Sequence, residues 1–188
     1  YIASTPGTRA ICNDPFIVGV KYTRLLSDAC ASVLKVLRTA KVFEAQEEST
    51  VVLNILRGGL NFGLREAMQA SLGWNRHAAA FISAQRARKT EKPEDWYITE
   101  NAYQKVFLPK QAAIVFGDVV ATGTSLEFAL KQLLEIVEQQ AGEICSILFF
   151  TIGGQRSEAI LGDIDKICRK RFPSYEGSAA VYFEGRFS

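Results

Sequence analysis

A chain of 188 residues with 48% hydrophobic and 22% charged side chains has the make-up of one globular domain that can bury a substantial core. Its net charge of +2 gives no field suited to nucleic acid, and no window is apolar for long enough to cross a membrane. Cys12, Cys30, Cys145 and Cys168 are scattered without a C-x-x-C pair, and His77 is the single histidine; this argues against a disulfide framework or a His-rich metal cluster and fits reduced thiols in a cytoplasmic protein.

In chain order, residues 1–23 are mixed, with Pro6, Gly7, Asn13, Asp14 and Pro15 as turn residues. Apolar residues at Leu25, Leu26, Ala29, Val33, Leu37 and Ala40 then predict a helix from Thr23, its N-cap, to about Lys41. "VVLNIL" (51–56) reads as a buried strand, "RGGLNFG" as a break, "LREAMQASL" as a helix and "AAAFIS" (78–83) as a second strand. Residues 84–111 are long for a plain connection. Their first half is basic and polar, and their second half predicts a β-hairpin over 96–108. "AAIVFG" (112–117) is a third strand and "SLEFALKQLLEIVEQQ" a helix. "EICSILFFT" is a fourth strand, "SEAILGDIDKICRKRF" a helix and "AAVYFEG" a fifth strand. There is no signal-peptide pattern. Because the chain opens on Tyr1 and stops just after its last strand, both ends are read as open to truncation.

Strands alternating with helices predict a parallel sheet covered on both faces, with ligands at the carboxyl ends of the strands. Two Gly-bearing segments, 57–63 and 117–125, fall at such ends. In the second, Asp118 is followed by Thr122, Gly123, Thr124 and Ser125 at the start of a helix. Helix-terminal amides, a glycine that admits close approach and three hydroxyls make a cradle for phosphate. A carboxylate beside it suits sugar hydroxyls or a bridging Mg²⁺. The alternative is that Thr-Gly-Thr-Ser merely caps the helix. No G-x-x-x-x-G-K-[ST] or G-x-G-x-x-G motif occurs, which leaves the nucleotide-triphosphatase and dinucleotide readings without support.

"AIVFGDVVATGTS" resembles the phosphoribosyl-pyrophosphate (PRPP) motif of type I phosphoribosyltransferases, and "VVLNILRGG" resembles their pyrophosphate loop. The basic segment 84–111 stands where that family carries a flexible catalytic loop, so the resemblance covers roughly residues 50–130. It implies a single domain over 1–188: a five-stranded parallel sheet with helices on both faces, a β-hairpin flexible loop within 84–111, and a small N-terminal hood within 1–23. It also implies that Asp118 holds the ribose hydroxyls and, indirectly, Mg²⁺. Val119, Val120, Ala121, Thr122, Gly123, Thr124 and Ser125 would hold the 5-phosphate. Arg57, Gly58 and Gly59 would contact pyrophosphate, while Arg86, Arg88, Lys89 and Lys92 would close over the leaving group. The implied activity is Mg²⁺-dependent transfer of phosphoribosyl from PRPP to a nitrogen base, by a cytoplasmic homodimer with no nucleic-acid or membrane partner. The family has two acids where this chain has Gly117-Asp118, so a non-catalytic PRPP sensor is the alternative. Ala121 departs from the hypoxanthine-guanine pattern and is closer to the adenine or uracil enzymes. "TIGGQRSE" (151–158) is either a base-recognition loop or an ordinary strand-to-helix turn. Tyr1, Tyr22, Trp74 and Trp96 either stack on a base or pack the core.

Overall fold

The computed structural model describes residues 1–56, 62–83, 85–88, 96–100 and 104–187. The main sheet has the order β1-β9-β8-β7-β2-β3-β6. Its central strands are β2 (Thr50–Leu56), β3 (Ala78–Ser83), β7 (Gln111–Val120), β8 (Glu143–Gly154) and β9 (Gly177–Phe187), and all their pairings are parallel. These are the five predicted strands. A sixth parallel strand, β1 (Ile2–Ala3), adds to β9 at one edge, so the expected five-stranded sheet is corrected to six parallel strands. Two residues are too few to show a periodicity. β6 (Gln104–Lys105) closes the other edge antiparallel to β3.

Alternation along each strand sorts the core into two layers. Val51, Leu53, Ile114, Phe116, Ile147 and Phe149 face the helices α4 (Thr124–Gln139) and α5 (Arg156–Arg171). Val52, Ala113, Val115, Leu148, Phe150 and Phe183 face α2 (Gly19–Thr39) and α3 (Leu64–Leu72). Apolar side chains on both faces explain why the strands read as continuous apolar runs.

Three local expectations need correction. α2 begins at Gly19, not Thr23; the Thr23 hydroxyl donates back to Val20 O at 3.1 Å inside the helix instead of capping it. Among the described residues, those of 96–108 do not pair with one another. β5 (Trp96–Glu100) pairs antiparallel with β4 (Gln85–Arg88), and this ribbon lies beside α4, while β6 joins the main sheet. β7 does not stop at Gly117 but runs on through Asp118 to Val120, paired with β8 throughout.

Residues 1–23 form β1, the helix α1 (Pro6–Asn13) and the start of α2. Because β1 runs parallel to β9, α1 leaves from the carboxyl edge of the sheet. Thr5 caps α1 through a capping box with Thr8, with Pro6 in the first turn. Glu184, at positive φ (63°) where β9 bulges away from β8, accepts hydrogen bonds from Ser4 Oγ (2.9 Å), Thr5 N (3.1 Å) and Thr8 Oγ1. A carboxylate at a helix N-terminus also meets the positive end of its dipole, so Glu184 fastens the N-terminal segment to β9.

Candidate functional site

The strand order fixes where a ligand has room. From β2 the chain moves outward to β3, then returns to the other side of β2 for β7, β8 and β9. The crossovers therefore diverge between β2 and β7, opening a crevice at their carboxyl ends. A hollow there is lined by Ile55 of β2 and by Asp118, Ala121, Gly123, Ser125 and Leu126. The PRPP-like motif lines this crevice, and of the segment resembling the pyrophosphate loop Ile55 lines it too.

Gly123 is the hinge of the cradle. It takes φ 78° as the N-cap of α4, a left-handed conformation that favours glycine. A Cβ there would lie 2.4 Å from Ile160 Cδ1 and 3.1 Å from Arg156 Cγ, so the loop also touches α5 too closely for a side chain. α4 has sixteen residues and no side-chain cap; Thr122 Oγ1 and Thr124 Oγ1 stand 3.3 Å from each other. The reading of Thr-Gly-Thr-Ser as an ordinary side-chain cap is therefore not what the fold shows. The first turn of the helix lies at the crevice, where Ser125 lines the hollow with Ala121 and Gly123, and first-turn amides have no partners within the helix. Such an end attracts an anion. Val119 and Ala121 are exposed, Val120 is buried, and Thr122, Thr124 and Ser125 are half-buried.

Asp118 is 4% exposed, and its Oδ1 accepts from Val119 N at 2.9 Å. It falls in one row across three strands, Asp118 beside Thr151 beside Tyr182. The Thr151 hydroxyl is buried without a partner among the described residues. Farther along the row, Ser157 Oγ donates to Gly154 O at 2.9 Å and lies 2.7 Å from Tyr182 Oη. With the Ser157 proton on Gly154, the Tyr182 phenol donates to Ser157. Burial pushes the phenol's pKa up, outweighing the opposing effect of the Ser157 bond, so the proton stays in place. This pair anchors the turn between β8 and α5.

The residue before Asp118 is not an empty acid position. Gly117 has ordinary strand backbone, yet a Cβ there would lie 2.4, 2.6 and 2.8 Å from Cγ, Cδ2 and Cβ of Phe62. Phe62 is buried and stacks on Phe183 at 6.4 Å. Glycine is required by space, not by dihedral angle. Strand alternation also turns position 117 to the α2–α3 face, away from Asp118. The sequence displays the glycine but carries no signal for the ring that covers it.

The other predicted residues are placed unevenly. Arg57, Gly58, Gly59, Lys89 and Lys92 lie outside the described residues, and Arg86 and Arg88 fall on β4. Trp74 packs on Phe43 at 6.2 Å and under the Arg38 guanidinium at 5.7 Å, beyond the end of α3, and so is a packing residue. Tyr22 packs against the α2–α3 layer, Tyr1 is exposed beside β1, and Trp96 lies on β5. The loop 151–158 comes to the cradle's side: Val119, Val120 and Ala121 share a second, wider cavity of about 550 Å³ with Ile152, Gly153 and Gly154.

Among the described residues no group of three His, Cys, Asp or Glu side chains could hold a metal ion, and Asp118 has no neighbouring acid at 117. Among the described residues, too, no helix is long and apolar enough to cross a membrane.

No family model matches this chain, and no curated protein matches it. Solved structures do. A hypoxanthine phosphoribosyltransferase from Staphylococcus aureus is similar over 84% of this chain and 75% of its own, at 14% identity and a TM-score of 0.44. An adenine phosphoribosyltransferase from Trypanosoma brucei, in complex with AMP, pyrophosphate and ribose-5-phosphate, is similar over 93% and 68%, at 16% identity and 0.45. A hypoxanthine-guanine phosphoribosyltransferase from Bacillus anthracis is similar over 70% and 69%, at 19% identity and 0.42.

Proposed function

We propose that this chain binds PRPP and transfers its phosphoribosyl group to a ring nitrogen of a small base, releasing pyrophosphate. The observation that carries this reading is the uncapped, glycine-hinged start of α4 beside the buried Asp118, at the point where the sheet's crossovers diverge. The amides and hydroxyls of Ala121 to Ser125 take the 5-phosphate. Asp118 cannot favour that dianion and instead accepts from ribose hydroxyls. Arg57, Gly58 and Gly59 meet the pyrophosphate, and Arg86, Arg88 and Lys89 close over it, as the motif resemblance implies.

The chemistry suits these groups. The acceptor nitrogen forms a bond to the anomeric carbon while the bond to pyrophosphate breaks, its electron pair leaving with the pyrophosphate oxygen. Positive charge gathers on the sugar and negative charge on the leaving group, where arginine and lysine stabilise it. Mg²⁺, held indirectly through Asp118 as the resemblance implies, would accompany the diphosphate and help neutralise the leaving group's charge. The homodimer and cytoplasmic location belong to the same reading and rest on the resemblance.

Pyrophosphate release, measured with PRPP, Mg²⁺ and a panel of nitrogen bases, tests the proposal. Release that depends on one base supports transfer. PRPP binding without release from any base supports the second reading, a PRPP sensor. That reading is favoured by one observation: Phe62 seals position 117, leaving Asp118 as the one carboxylate lining the crevice among the described residues.

A further inference from the structure

The cavity beside the cradle has walls whose chemistry narrows what it accepts. One wall is Val119 and Phe187, which are 37% and 51% exposed although both are apolar. Its floor is bare backbone. A Cβ at Gly153 would lie 2.8 Å from Val120 O, and one at Gly154 2.9 Å from Phe187 O, so no side chain can intrude from these positions. Apolar side chains beside bare backbone suit the faces of a flat ring.

The rim carries one kind of charge. Arg156 borders the cavity, and among the described residues no carboxylate lines it. Glu127 and Asp163 share the groove between α4 and α5 with Arg156, and Asp163 is paired with Lys166 at 2.9 Å. Glu158 takes Arg186 at 3.0 Å through both oxygens, and Glu127 takes Lys131 at 2.7 Å. Glu127 reaches Arg156 only at 3.8 Å, on a guanidinium side chain that is 59% exposed. So loose and solvated a pair holds the guanidinium weakly. Its stem passes beside Gly123 of the cradle, where an added Cβ would meet Arg156 Cγ at 3.1 Å. Arg156 thus stands between the phosphate cradle and the cavity with donors to offer, and guanidinium matches carboxylate geometry with two parallel hydrogen bonds.

We propose that the cavity takes a planar, anionic acceptor: an aromatic nitrogen heterocycle carrying a carboxylate or an equivalent ionised group, which Arg156 binds. The inference rests on the transferase reading for the word acceptor, but the charge preference can be measured without it. Pyridine-3-carboxylate and pyridine-3-carboxamide share ring and size and differ in charge. Each is titrated by calorimetry into the wild-type chain and into Arg156→Gln, with and without ribose 5-phosphate. A charged hydrogen-bonded pair contributes enough for a preference of about tenfold or more. The wild type is expected to favour the carboxylate by that factor. Arg156→Gln should bring the two probes within about twofold, leave the carboxamide unchanged, and leave the thermal unfolding midpoint near wild type because the side chain is exposed. Equal binding of both probes, binding of neither, or a preference that survives in Arg156→Gln overturns the proposal. A charge preference that holds while ribose 5-phosphate fails to bind sustains the anionic cavity and removes the transferase reading.

Discussion

Gly117 offers a quantitative test of how the site is built. Replacing it with alanine adds one methyl group to a position where Phe62 Cγ would be 2.4 Å away. Carbon atoms rest at about 3.5–4.0 Å, so the ring must retreat by roughly 1 Å. It has little freedom to do so, being 3% exposed and stacked at 6.4 Å on Phe183, which stacks at 6.0 Å on Phe150. Overpacking of this kind costs about 1–3 kcal/mol. Phe62→Ala alone leaves a cavity and costs about 3–5 kcal/mol. In the double variant the ring atoms are gone and the methyl group introduced by Gly117→Ala still meets the β-carbon at position 62 at 2.8 Å, so most but not all of the overpacking is relieved. The double should therefore be more stable than the sum of the singles by most of the overpacking cost of about 1–3 kcal/mol. Urea unfolding, with midpoints compared at constant slope, reads all three. Gly117→Glu should fall below Gly117→Ala, because it pushes a charge into an aromatic cluster, and it should not tighten PRPP. An alanine variant as stable as wild type, or strict additivity in the cycle, would refute the packing account of the missing second acid.

Asp118→Asn should weaken PRPP about ten- to a hundredfold, the worth of one hydrogen bond to a charged group; calorimetry checks this, and the change should exceed that of any other single acid-to-amide variant. Gly123→Ala should destabilise the fold by about 1–3 kcal/mol, through the left-handed conformation and the contact with Ile160, and should also weaken ribose 5-phosphate; urea unfolding and titration of the same variant separate the two effects. Glu184 is held below the ordinary glutamate value of 4.5: burial pushes its pKa up, but hydrogen bonds from Thr8, Ser4 and Thr5 together outweigh it. A depressed carboxylate contributes stability that is present above its unfolded pKa and lost as pH falls through the folded one. Below about pH 4.5, wild type should therefore lose stability more steeply than Glu184→Gln, as followed by thermal unfolding across pH 3–6.

Much of the fold is legible in the sequence because parallel strands buried on both faces must be apolar throughout, and they alternate with helices of clear period. The cradle is legible for a related reason: a glycine among hydroxyls at a strand-to-helix junction has few structural uses. Other features carry too little pattern. β1 is two residues long, and the start of α1 reads as turn because Pro6 and Gly7 suggest one, although Thr5 followed by Pro6 also starts a helix. The partner of β5 escapes the sequence because a two-strand ribbon carries no register in composition alone; pairing with β4 rather than with 104–108 is a tertiary choice. The Phe62–Gly117 contact joins residues far apart in sequence, and nothing local to either announces it. The cavity at Gly153 and Gly154 is within sight in "TIGGQRSE", but its other wall, Phe187, comes from the end of β9.

Phosphate binding at the start of α4 is tested by calorimetric titration of PRPP into wild type and Thr124→Asp. Thr124 opens the helix, half-buried among the cradle hydroxyls, so a carboxylate there opposes the 5-phosphate and competes for the same amides. The account predicts saturable one-to-one binding to wild type and a loss of at least roughly tenfold in the variant, with the unfolding midpoint held or raised because an acid suits a helix N-terminus. Equal PRPP affinity in a folded Thr124→Asp chain would contradict it.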